Sequence, residues 1–177
     1  MTRAPLVAAL PLLIAIASSA CAESLDAKVG TWEMTTVTTA TGAIIPADTL
    51  AKMPPDRRAM VEKMMAERDG KPLTSTRKTC VKKEDLDQDR FLRQGDANCK
   101  LDVTTRTAQR LVAVRTCDGP PKSEGRMVFE AKTPETVTGT IDQTRGDSGK
   151  LHVVISGKWL AAGCEGVDPV PVPNKAP

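Results

Sequence analysis

Tyrosine is absent from this 177-residue chain, and the other aromatics amount to two tryptophans and two phenylalanines. Platforms for single-stranded nucleic acid stack bases on aromatic rings, and sugar sites commonly do the same, so both functions are disfavoured. There is one histidine, His152, and no C-x-x-C pair anywhere. A zinc site built on close Cys/His pairs is therefore excluded, and general acid–base chemistry loses its commonest carrier. No glycine-rich loop of phosphate-binding type follows a strand pattern. The formal charge is only +3, which gives no reason to expect a polyanion partner. After the first 22 residues no run is long or apolar enough to span a bilayer as a helix.

The one long apolar run lies at the start. Arg3 supplies a charged opening, "LVAALPLLIAIA" an apolar stretch, and "SSACA" small residues. Together they read as a secretory signal over residues 1–22. Ala20-Cys21-Ala22 fits an A-x-A cleavage site, leaving a soluble periplasmic chain from Glu23. "SSAC" also fits a permissive lipobox, which would make Cys21 a lipidated N-terminus on the outer membrane. Membrane contact is expected only in that second case. Without residues 1–22, and so without Arg3, the chain has 155 residues of the 177 and a charge of +2 instead of +3. That suits one domain, expected as a monomer.

Setting Cys21 aside leaves Cys80, Cys99, Cys117 and Cys164, an even count that reads as two disulfides in an exported chain. "CKLDVTTRTAQRLVAVRTC" has the look of a hairpin. If its turn centres on Ala108, Cys99 falls opposite Cys117, close enough to bridge. Cys80 is then left for Cys164. This register puts Leu101 and Val103 with Ala113 and Arg115, and Val112 and Val114 on the other face. A bulge near Arg115 or Thr116 would reconcile the valines with the cysteines.

From Gly30 onward the pattern alternates with period two and is rich in Thr and Val. In "GTWEMTTVTT", Trp32, Met34 and Thr36 share a face. Further strands are expected over "PLTSTRKTCV", 99–105, 109–117, 125–131, 136–143 and 151–160, with a helical turn near Glu84 to Leu86. In "MPPDRRAMVEKMMAERDG" the period changes to that of a helix, about 55–68, with Met60 and Met64 expected to pack on the sheet. The chain is therefore expected to be mainly β. Its architecture would be an antiparallel meander of about seven strands, as a barrel or half-barrel, with one amphipathic helix inserted after the first strand. A β-sandwich is the alternative. The domain would cover 23–166, and the Pro-rich 167–177 would be a flexible tail.

Several stretches together resemble the proteobacterial domain-of-unknown-function family three-six-one-seven. They are "GTWE" at Gly30, the Pro/Met-rich insert at 53–65, and the cysteine contexts "KTCVKKED", "DANCK", "RTCDG" and "KWLAAGC". The resemblance covers nearly all of the chain after the signal and implies an exported protein of unknown activity, so it brings no catalytic residues. Gly30-x-Trp32 also has a weak likeness to the opening of lipocalin-like barrels, which favours a barrel slightly.

The remaining chemistry points to binding rather than catalysis. His152 reads as a surface or rim residue. "GDSG" at 146–149 fits a β-turn better than a protease signature. Met53, Met60, Met64 and Met65 could serve as soft copper ligands, but packing explains them more simply. No metal or other cofactor is expected. An envelope protein that binds a small apolar or anionic ligand ranks first, with Trp32, Met34, Met60, Met64, Arg115, Met127, Phe129 and Ile155 as candidate ligand residues. A protein-binding or inhibitor-like module for an envelope partner is the alternative. A carboxylate-based hydrolase ranks last.

Overall fold

The computed structural model describes residues 24–87, 92, 98–119, 121–146 and 148–170. The segment expected to be a signal, with Cys21, together with Phe91, Asp147 and the residues from 171, lies outside the described residues.

Seven strands form one antiparallel sheet: β1 (Gly30–Thr41), β2 (Pro72–Val81), β3 (Cys99–Arg106), β4 (Arg110–Cys117), β5 (Ser123–Thr133), β6 (Thr136–Arg145) and β7 (Gly149–Ala161). Their spatial order is β2-β1-β7-β6-β5-β4-β3. The meander from β3 to β7 is continuous, and β1 then pairs with β7. β2 and β3 remain as edges, so the barrel is open. Threonine and valine dominate the strands because β-branched side chains suit a pleated surface.

One face of the sheet holds the core. Leu111 and Ala113 of β4, Met127, Phe129 and Ala131 of β5, and Leu25 and Leu92 from outside the sheet are buried together. Leu101 and Val103 of β3, Val137 and Ile141 of β6, and Ile155 of β7 pack against them. Gly139 sits opposite Phe129. A Cβ there would stand 2.7 Å from the ring, so only glycine leaves the ring room to lie flat on β6.

The hairpin register follows the cysteines. Cys99 pairs with Cys117, Leu101 with Arg115 and Val103 with Ala113. The bulge lies between Val103 and Thr105, on β3 and not near Arg115 or Thr116 as the sequence suggests. It lets Leu111 join Ala113 in the core while Val112 is buried on the other side. Disulfides join Cys99 to Cys117 and Cys80 to Cys164, with Cα atoms 4.1 and 5.4 Å apart respectively.

The β1–β2 connection departs from expectation. It carries two helices, α1 (Ala47–Ala51) and α2 (Pro55–Arg68), and a third, α3 (Lys83–Asp87), follows β2. Pro55 opens α2, Asp56 and Arg68 suit its two ends, and Gly70 stops the chain after it with φ of 70°. Yet α2 has no buried residue, and Met60 and Met64 are 65% and 43% exposed. Their expected packing on the sheet is corrected. From α1 to the end of α2 the half-buried positions are Leu50, Met53, Arg58, Val61 and Met65. Arg58 Nη2 donates to the carbonyl of Ala51 at 3.1 Å, so the insert is tied to itself.

The Pro-rich end is not free from 167. Cys80 N–H donates to the Asp168 carbonyl at 2.8 Å, Val170 N–H donates to the Cys80 carbonyl at 3.2 Å, and Val170 is buried.

Candidate functional site

The site forms at the end of the sheet where β1 begins. A short arm, residues 24–29, crosses that end. Asp26 N–H donates to the Ala108 carbonyl at 2.7 Å, and Lys28 N–H to the Pro134 carbonyl at 2.8 Å. Lys28 also pairs with Glu135 and lies 4.6 Å from the centre of the Trp159 ring.

Two tryptophans hold the arm from the sheet side. A bulge in the β1–β7 ladder brings Trp32 opposite Trp159. Trp32 Nε1 donates to the Lys28 carbonyl at 2.8 Å and Trp159 Nε1 to the Val29 carbonyl at 3.0 Å. Each indole thus satisfies its one donor, Trp32 while buried and Trp159 while half-buried. Trp32 is only 2% exposed.

Beneath the arm lies a cavity of about 190 Å³ on the concave face. β1 contributes Trp32, Met34 and Thr36, and β2 contributes Arg77, Thr79 and Val81. Phe129, Val137, Ile141 and Ile155 form the far wall, and Leu25 and Ala27 of the arm the near one. Leu86 and Asp85 of α3 and Val170 complete it. The alternation of β1 and β2 explains the lining, because Trp32 pairs with Thr79 and Met34 with Arg77. Gly157 lies opposite Met34, where a Cβ would stand 2.8 Å from the Met34 sulfur.

The lining is apolar apart from the two hydroxyls of Thr36 and Thr79 and two charged groups of different standing. Asp85 is 3% exposed, and its Oδ2 accepts the backbone N–H of Lys82 at 2.9 Å at the start of α3. Its charge is thereby used to hold the helix entry. Arg77 is exposed, lies on the cavity wall, and has no ion-pair partner among the described residues.

The sequence-derived candidates divide. Trp32, Met34, Phe129 and Ile155 come together around the cavity. Met127 is buried in the core behind it. Arg115 stands away from it, half-buried opposite Leu101 and Gly125, and is already engaged. Met60 and Met64 are on the exposed insert. Arg77, Thr79, Asp85, Leu25 and Val170 were not singled out. Alternation in "PLTSTRKTCV" places Arg77 and Thr79 on one face, but only the β1–β2 register shows that this face is concave.

His152 lies on the opposite face. Its Nδ1 is 2.6 Å from Asp142 Oδ1, with both side chains more than half exposed. They border an open depression of about 410 Å³, together with Glu124, Arg126 and Lys150. Solvent on both members leaves this pair without the desolvation that strengthens a catalytic dyad. Among the described residues, no three His, Cys, Asp or Glu side chains converge as a metal site requires, and no helix is long and apolar enough to cross a membrane.

A family model described as "Protein of unknown function (DUF3617)" matches residues 27–164. No match is found among curated proteins or among solved structures.

Proposed function

Since the chain belongs to the DUF3617 family of proteins of unknown function, no activity comes with membership, and we propose from the site itself that it is an exported, non-enzymatic binder of a small apolar ligand. The carrying observation is the cavity of about 190 Å³ between Trp32, Met34, Phe129 and Ile155. It is apolar and concave, with few polar groups, as small-molecule sites are. Its size is below the range of about 300–1,000 Å³ usual for drug-sized ligands. An apolar cavity of about 150 Å³ accepts benzene, so a ring of that size or a short chain fits here. Two disulfides favour an oxidising compartment, which supports export. Either a mature N-terminus at Glu23 or a lipid on Cys21 is compatible with an arm over residues 24–29.

The test uses protein isolated oxidised from the bacterial envelope. Native mass spectrometry should show a retained small molecule, or saturable uptake of short-chain amphiphiles, in the wild type. Thr36→Phe, which places a ring in the cavity, should abolish it without loss of fold. Uptake unchanged by Thr36→Phe would reject the cavity as the site. Reproducible hydrolysis abolished by changing one or two clustered carboxylates would reject the non-enzymatic reading. The intact mass of the same material decides between Glu23 and lipidated Cys21.

A second reading, contact with an envelope protein, is favoured by the exposed Met60 and Met64 of α2. Methionine suits adaptable apolar contacts. Cross-linking from the insert to a single partner, lost in Met60→Glu/Met64→Glu, would support it.

A further inference from the structure

The cavity wall carries one positive charge, and its neighbours explain neither its place nor its sign. Arg77 faces the concave side because it pairs with Met34 across the β1–β2 ladder. Four of the ten residues of this edge strand are Thr or Ser, and either a hydroxyl residue or an apolar one at position 77 would continue it. The apolar alternatives would also have extended the lining. Instead a long cation stands on the wall beside Met34 and Thr79, and it is exposed.

Arg77 forms no ion pair with the other charge of the lining, Asp85. Asp85 is buried and receives the Lys82 N–H. It also makes further interactions, whereas Arg77 makes no ion pair among the described residues. The two charges therefore have separate duties, the carboxylate structural and the guanidinium open to a ligand. An arginine placed in this way offers a planar fork of donors that matches a carboxylate or a phosphate.

We infer that the ligand is an anionic amphiphile, its apolar end in the cavity and its acidic head on Arg77; this rests on the cavity reading above. Size limits the apolar part. A volume of about 190 Å³ holds a chain of about six to eight carbons or a single ring, judged against the benzene-sized cavity of about 150 Å³. A longer chain has to extend beyond the cavity. Arg77 is then the residue that sets the preference for acids over neutral compounds of the same chain, and the apolar wall sets the chain length.

The experiment is a calorimetric titration of the oxidised chain from Glu23 with octanoate, octyl phosphate and octanol at low ionic strength. The expected result is that at least one of the two acids binds about fivefold or more tightly than octanol, a modest ratio because the head group stays partly in water. The acid showing the larger ratio identifies the head group. Arg77→Gln should bring the acids down to the level of octanol and leave octanol unchanged, whereas Lys78→Gln, on the other face of the same strand, should leave the ratio intact. Added salt should weaken the acids and not octanol. Equal binding of all three compounds, or equal effects of Arg77→Gln and Lys78→Gln, would overturn the inference while leaving the apolar cavity standing. No binding of any of the three would overturn both.

Discussion

At the end of the sheet where β1 begins, nearly every loop is tied to another. The arm hydrogen-bonds to two turns, two indoles donate to the arm, and Cys80–Cys164 joins the end of β2 to the residues after β7. At the other end, the β1–β2 connection carries a 14-residue helix with no buried residue. That insert is attached at Gly42 and Gly70, where Gly42 N–H donates to Asp69 Oδ1 at 2.9 Å and Gly70 N–H to the Ala40 carbonyl at 2.8 Å. The same sheet thus has one end stitched by the arm and Cys80–Cys164, where the cavity lies, and another that carries Cys99–Cys117 and a loosely attached insert. A binding site needs its walls held in place before the ligand arrives. The insert can vary without disturbing them.

The comparison is broken most severely at the disulfide. Cys80→Ser/Cys164→Ser opens a loop with a sequence separation of 84, and the chain-entropy estimate is a loss of about 4.5 kcal/mol. Denaturant unfolding should show this loss to be larger than that from Cys99→Ser/Cys117→Ser. The latter closes a separation of only 18, worth about 3 kcal/mol. The reverse order would mean that the stitched end is not the stability centre.

A smaller effect is expected at the arm. Trp159→Phe keeps an aromatic ring but removes the donor to the Val29 carbonyl, at about 1 kcal/mol. Hydrogen exchange should then speed up at Lys28, whose amide is held by Pro134, and leave the amides of α2 unchanged. Uniform acceleration would show that the arm is not a separate clasp.

The smallest effect is expected at the insert. Met60→Glu/Met64→Glu should change stability by no more than about 0.5 kcal/mol, as exposed substitutions do. The helical period of the sequence alone suggests a large loss, because unpaired buried charge is costly. A drop of several degrees in melting temperature would show that α2 packs on the sheet in solution.

How far the sequence can be read follows from the kind of signal each region carries. Period-two alternation is local, so the strands fall within about two residues of where "VTT"-type patterns place them. The cysteine pairing was legible because Cys99 and Cys117 flank one turn and leave only two others. The bulge at Thr104 was not, since either side of a hairpin can absorb an extra residue. The fate of α2 was not legible either. An amphipathic stripe says which side is apolar and nothing about what covers it. At the site, Trp32 and Met34 were visible from β1 alone, whereas Arg77 needed the β1–β2 pairing. Leu25 and Val170 sit outside any periodic segment, so only the folded chain shows that they line the cavity.

The central claim is that the cavity under the arm is where a ligand binds, and side-chain NMR of the oxidised chain titrated with octanoate tests it most directly. The account expects saturable shifts at the Trp32 indole N–H, the Met34 methyl and the Ile155 methyls, with Met60, Met64 and His152 unmoved. Shifts confined to Met60 and Met64, or to the His152 depression, would contradict it.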